Sequence, residues 1–201
     1  MDFKVLAIKR HCIETDGNGI TTLIGLSNCP LKCKYCLNKN KIEKNEFKTY
    51  TVDELINEIM IDYCYFIATN GGVTFGGAEP LLYSEAIYEF IQKLPNGINV
   101  NIETSLNVSE ELIKTIAPFI TCFIIDIKTM DKEIYKNYTG KENDYVLSNL
   151  KYLSKTYPDK CKIRLPLIPN FNNNEDIKKS KEILENMGFK QFDIFKYKIR
   201  G

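Results

Sequence analysis

Short apolar runs separated by charged segments recur along the chain. "TTLIGL" (residues 21–26), "GVTF" (72–75), "INVNIE" (98–103), "CFIIDI" (122–127), "KIRLPLI" (162–168) and "FDIFKY" (192–197) have the length and β-branched or aromatic content of buried strands. Helical patterns lie between them. Thr51 and Glu54 form a capping-box signature ahead of Leu55, Ile56, Ile59 and Met60, which share one helical face. Ile87, Phe90, Ile91 and Leu94 repeat that spacing, as do Ile177, Leu184 and Met187, with Gly188 as a natural stop. Strands alternating with helices imply right-handed βαβ units and a parallel sheet. Six such units predict an α/β fold, an incomplete (β/α)6 TIM-like barrel with parallel strands, and "DFKVLAIKR" is a candidate extra strand at one edge.

In such folds the site forms at the carboxyl ends of the strands, and the chemistry-bearing residues cluster there. Three cysteines follow the first strand, in "CPLKCKYCLN" (residues 29–38), and "GGAEP" (76–80) follows the second. "ETS" (103–105) ends the third, Asp126 and Lys128 end the fourth, Arg164 lies in the fifth and Lys198 follows the sixth. Glu79 beside a Gly-rich turn points to close approach of a ligand to the backbone. Asp126 and Lys128 fall on one side of a Phe- and Ile-rich strand, which fits either a buried ion pair or a ligand site.

Length and composition narrow the classes further. At 201 residues one domain spanning 1–201 is expected, and no linker or repeat argues for a second. The longest apolar runs fall far short of the roughly 20 residues of a membrane span. The formal charge of +1 gives no nucleic-acid or membrane footprint, and "NKNKIEKNEFK" mixes signs as a solvated loop does. The start, "MDFKVLAIKR", lacks the layout of a signal peptide, so a cytoplasmic protein is expected. In a reducing compartment, seven cysteines read as metal ligands, reactive thiols or small core residues rather than disulfides. Cys64, Cys122 and Cys161 sit in apolar patterns and fit the last class.

The triplet Cys29, Cys33 and Cys36 is one ligand short of a closed tetrahedral site. A structural zinc-binding module would need His11 or Cys12 as the fourth ligand, without the second short cysteine pair usual in such sites. An iron–sulfur cluster held by three thiolates would instead leave one iron open to a ligand of another kind.

Cys-x3-Cys-x2-Cys with Tyr35 just before the last cysteine resembles the signature of the radical S-adenosylmethionine (SAM) enzymes. "VTFGGAEPLL" resembles their Gly-Gly-Glu-Pro motif, with Ala78 in place of the second Gly. The resemblance implies a 4Fe-4S cluster on Cys29, Cys33 and Cys36, with the amino and carboxylate groups of S-adenosylmethionine on the fourth iron. Reductive cleavage of the sulfonium would then yield a 5′-deoxyadenosyl radical that abstracts a hydrogen atom. It also implies Tyr35 near the adenine, the Gly76, Gly77, Ala78, Glu79 turn at the methionine amino group, Asp126 at the ribose and Lys128 at the carboxylate. Glu103 and Thr104 sit where relatives place an acid and a Thr near the sulfonium, in some cases with a monovalent cation. Arg164 and Lys198 occupy further cofactor-facing positions.

Within that superfamily the chain resembles the activating enzymes of glycyl radical enzymes, of the kind that serve pyruvate formate-lyase. "HCIETDGNGI", the Cys-x-Asn of "CLN", "IDIKTMDKEIYKNYTG" and "IRLPLIPNFNNNEDI" carry that resemblance. It implies a protein partner, a glycyl radical enzyme whose backbone glycine loses a hydrogen atom, and a flavodoxin or ferredoxin as electron donor. Asp16 and Gly17 would orient the substrate peptide; an Asx-type turn is the plainer reading of the same pair. Thr21 stands where the activases usually carry Arg or Lys, and Leu37 where they often carry His. The alternative is a radical enzyme of the same cluster acting on a small molecule or peptide.

Overall fold

A computed structural model describes residues 2–13 and 16–198. The chain starts with β1 (Phe3–Ile13) and β2 (Ile20–Leu26), then the cysteine loop, α1 (Lys39–Glu43) and β3 (Lys48–Tyr50). The units α2 (Val52–Ile59), α3 (Tyr63–Thr69) and β4 (Gly72–Gly76), then α4 (Ser84–Lys93) and β5 (Asn99–Thr104), follow. Next come α5 (Glu110–Ile116), β6 (Cys122–Asp126), α6 (Lys132–Thr139), α7 (Asp144–Thr156), β7 (Cys161–Leu167), α8 (Asn174–Asn186) and β8 (Gln191–Lys196).

Among the described residues these strands form one eight-stranded sheet in the order β3-β1-β2-β4-β5-β6-β7-β8. From β2 to β8 every neighbouring pair is parallel, which is the six-stranded partial barrel expected from the apolar runs. β3 and β8 are its two edges, so the barrel is not closed. The extra strand read in "DFKVLAIKR" is β1, which runs antiparallel to both β2 and β3. Six residues separate β1 from β2, too few for the crossover that a parallel pair requires. No helix among the described residues is long and apolar enough to cross a membrane.

Burial follows the alternation of the strands. Ile24, Val73, Phe75, Val100, Ile102, Phe123, Ile125, Ile163 and Leu165 point to the helices and join Leu55, Ile59, Phe66, Phe90, Ile116, Leu150 and Leu184 in one core. The capping box forms as expected: Thr51 Oγ1 accepts the Glu54 amide at 3.2 Å and Glu54 accepts the Thr51 amide at 2.8 Å, starting α2. The intervening strand residues face the concave side, and many are polar: Thr74, Asn101, Glu103, Asp126, Arg164 and Asp193. A core that ended on that side would not carry ionisable residues at alternate positions of four neighbouring strands.

The segment from Asp16 to Gly19 closes the concave side from the amino end of the strands. The Thr74 hydroxyl and the Asn101 amide (3.5 Å) both donate to the Asp16 carbonyl. Glu14 and Thr15 of the same segment lie outside the described residues.

Candidate functional site

The cysteine loop leaves the carboxyl end of β2 and is tied down on two sides. The Lys32 and Lys34 amides donate to the Thr139 and Tyr138 carbonyls at the end of α6, at 2.8 and 3.1 Å. On the other side the Glu79 amide donates to the Asn28 carbonyl at 3.0 Å, and Asn38 Nδ2 donates to the Gly77 carbonyl at 2.6 Å. Thus Asn38, two residues after the last cysteine, joins the loop to the Gly-Gly-Ala-Glu turn.

Cys29, Cys33 and Cys36 are free and half-buried on this loop. Burial pushes the Cys29 thiol up to about 12, with Glu79, Cys33 and Cys36 adding to the shift. Burial likewise raises Cys33 to about 11, although Lys128 beside it pulls the other way. All three cysteines lie on the one loop between β2 and α1. No set of three His, Cys, Asp or Glu among the described residues closes around a single metal ion.

The zinc reading loses its fourth ligand. Cys12 pairs in register with Thr21 at the amino end of β2, whereas Cys29 lies past its carboxyl end. The seven residues of β2 separate the two by roughly 20 Å at the usual strand rise. His11 is held there too, 4.6 Å from the Tyr65 ring and 3.3 Å from Asp62.

The turn after β4 has a structural lock at its centre. Glu79 is fully buried, and its carboxylate accepts the Thr104 hydroxyl (2.6 Å), the Ser105 amide (3.0 Å) and hydroxyl (2.7 Å), and the Leu81 amide (3.3 Å). Burial holds this carboxyl above its ordinary value even against those donors. The carboxylate of Glu79 and the hydroxyl of Thr104 are thus committed to each other, and what the turn offers a ligand is backbone. Gly77 has φ +86°, and a Cβ there would lie 2.8 Å from the Gly25 Cα. Gly77→Val is therefore expected to lower stability by about 2 kcal/mol, read as the urea midpoint; an unchanged midpoint would show that the turn is free to move. A Cβ at Gly76 would meet the Glu103 carboxylate at 2.7 Å, so the glycines keep a cradle open beside that acid.

The concave wall continues with two ion pairs. Lys128 Nζ lies 2.5 Å from Asp126 Oδ2; burial alone would lower this lysine, but Asp126 and Cys33 override it and hold the ammonium well above its ordinary range. The other oxygen, Asp126 Oδ1, is buried without a partner. Arg164 Nη1 lies 2.5 Å from Glu103, its Nε is 3.6 Å from Asp193, and its guanidinium sits 4.8 Å from the Phe195 ring centre. Burial raises the Glu103 carboxyl, Arg164 opposes that, and Asp126 and Asp16 reinforce it. Asp16 is placed on the concave side by the hydrogen bonds that its carbonyl accepts from Thr74 and Asn101.

Tyr35 closes the outer wall. Its ring packs edge-on against Tyr138 and Phe171, Asn170 Nδ2 donates to its hydroxyl at 3.2 Å, and the Tyr197 hydroxyl donates to its carbonyl at 2.5 Å. The structure thus gathers Cys29, Cys33, Cys36, Tyr35, the turn 76–79, Glu103, Asp126, Lys128 and Arg164 around one mouth. Lys198 is exposed past β8, and its neighbour Tyr197 is the residue that reaches the cysteine loop. Tyr138, Asn170, Phe171, Asp193 and Tyr197 were not singled out from the sequence.

A 4Fe-4S cluster and S-adenosylmethionine fit this mouth. Three free cysteines on one loop match the donor set, the unpartnered Asp126 Oδ1 is an acceptor for a hydroxyl, and the Gly76–Gly77 cradle leaves backbone open.

Comparison with known proteins agrees. The pattern that defines the Radical SAM superfamily matches residues 23–182. The 4-hydroxyphenylacetate decarboxylase activating enzyme of Clostridioides difficile (strain 630) is 30% identical over 240 residues, spanning 88% of this chain and 74% of that relative. The pyruvate formate-lyase-activating enzyme of Staphylococcus epidermidis is 30% identical over 201 residues, spanning 93% of this chain and 80% of that relative. Among solved structures, SuiB of Streptococcus suis matches 88% of this chain with a TM-score of 0.67 at 17% identity, a likeness of fold. This chain spans 39% of that one.

Proposed function

The chain belongs to the radical SAM superfamily and, within it, to the activating enzymes of glycyl radical enzymes, and from that premise we propose that it installs the radical on a glycine of a partner enzyme. The observation that carries the reading is the mouth itself: three free, half-buried cysteines on one loop, an orphaned carboxylate oxygen and a largely buried ammonium face one polar concavity. A cluster with S-adenosylmethionine supplies, when bound, one-electron cleavage of the sulfonium and hydrogen-atom abstraction.

This chain's residues do the holding and orienting. Cys29, Cys33 and Cys36 hold the cluster. Asp126 Oδ1 accepts from the ribose, and Lys128, kept charged by Asp126, pairs with the carboxylate of the methionine moiety. Carbonyls of the turn 76–79 accept from its amino group, and Tyr35 borders the adenine. The Glu103–Arg164 pair lines the space where sulfonium and substrate meet, with or without a monovalent cation at Glu103. Asp16 and Gly17, against Thr74 and Asn101 at the amino end of the strands, meet the substrate backbone, and Lys198 contributes only at the outer rim. The whole chain acts as one domain, and a flavodoxin or ferredoxin supplies the electron.

The test is anaerobic reconstitution followed by incubation of the reduced enzyme with candidate glycyl radical enzymes. A glycyl doublet in the electron paramagnetic resonance spectrum is the expected result. Formation of 5′-deoxyadenosine with no doublet from any candidate would transfer the assignment to a small-molecule or peptide substrate.

A further inference from the structure

The outer face of the cysteine loop carries a charge pattern that the cofactor chemistry does not use. Residues 29–48 contain six lysines and two glutamates, while the whole chain carries only +1, so the remaining residues are net negative. Lys32, Lys34, Lys39, Lys41, Lys44 and Lys48 are all exposed. Among the described residues no carboxylate lies within ion-pair distance of Lys32, Lys34 or Lys41, and Lys39 meets Glu43 only at 3.9 Å. Among these lysines in sequence, Leu37, the residue after Cys36, is 57% exposed. The helix α1 that follows buries none of its residues.

An exposed apolar residue flanked by largely unpaired lysines has the make-up of a protein–protein contact, with an apolar centre and a charged rim that steers the encounter. Its place identifies the occupant. Electron transfer falls steeply with distance, and this face is the outer side of the loop that bears Cys33 and Cys36. We propose that Leu37 and the collar of Lys32, Lys34, Lys39 and Lys41 form the docking site of a small acidic one-electron carrier protein. The carrier loses one electron, the cluster gains it, and no bond or proton is exchanged. The proposal rests on the cluster reading above.

The experiment uses the anaerobically reconstituted holoenzyme, an acidic ferredoxin as probe, and dithionite as a reductant that needs no docking. Two variants are compared with the wild type: K34E/K39E/K41E, and L37D. Loss of the collar is expected to weaken ferredoxin binding, measured by biolayer interferometry at low salt, by about tenfold or more. Wild-type binding should weaken with added salt and the triple variant's should not. Ferredoxin oxidation, followed by stopped-flow absorbance, should slow in both variants, while dithionite-driven cleavage of S-adenosylmethionine stays at the wild-type level. Wild-type binding and oxidation rates in both variants would overturn the proposal. So would loss of binding to anionic vesicles or DNA in the triple variant with the ferredoxin response unchanged. Failure of dithionite-driven cleavage in the wild type would instead sink the cluster reading, and the binding measurement would still score the surface.

Discussion

Cys33→Ala is expected to abolish cleavage of S-adenosylmethionine, whereas Cys122→Ala is expected to leave cleavage in place and lower stability only. Both positions are half-buried thiols, so burial alone does not separate them. Their neighbours do. Cys33 sits beside Lys128, Cys36 and Asp126 at the mouth, on a loop held from both sides. Cys122 starts β6 at the amino end of the strand, where burial raises its thiol and Lys162 is its main charged neighbour. Removing Cys33 leaves two thiols for a group that needs three, and the loss should show both as missing iron and as 5′-deoxyadenosine at background. Removing the Cys122 sulfur costs about 1 kcal/mol, the scale of a small buried truncation. Iron content, nucleoside product and urea midpoint on the same preparations decide the matter. Cleavage surviving in Cys33→Ala, or vanishing in a folded Cys122→Ala, would mean that the ligand loop is misassigned.

The strands were legible because buried parallel strands read as apolar runs; the six expected ones match to within one or two residues at either end. β3 was not, because "KTY" has no apolar alternation and exists through pairing with β1. At the site, Asp126 and Lys128 satisfy both of their sequence readings: they form an ion pair, and one carboxylate oxygen remains free. Glu103 and Thr104 could not both face the concavity, since successive strand residues point to opposite sides. The structure sends Glu103 to Arg164 and Thr104 to Glu79. The same alternation selects Tyr197, two residues beyond Phe195, over Lys198. What no pattern could reveal is the anchoring of the cysteine loop by the carbonyls of Tyr138 and Thr139, because a backbone acceptor leaves no residue signature.

Glu79→Ala is expected to cost about 3 kcal/mol or more, the largest stability loss of any single change considered at this site. Four donors converge on that carboxylate, and alanine leaves them buried and unpaired around a cavity. The same residue's amide holds the Asn28 carbonyl, so disorder in the turn would pass directly to the loop of Cys29. Glu79→Gln keeps the volume but turns an amide group toward two donors, so it is also expected to be less stable than the wild type, by a smaller margin. The pH dependence separates charge from shape. Burial holds the wild-type carboxyl above its ordinary 4.5. A group raised in this way favours the fold below that value and loses the advantage as pH climbs through its folded-state value. Glutamine does not titrate there, so the gap between wild type and Glu79→Gln should narrow as pH rises, measured by urea unfolding at acid and neutral pH. A gap that widened with pH would show the ionised carboxylate to be favoured by its four donors over its burial, and Glu79 would then be an anchor held by charge.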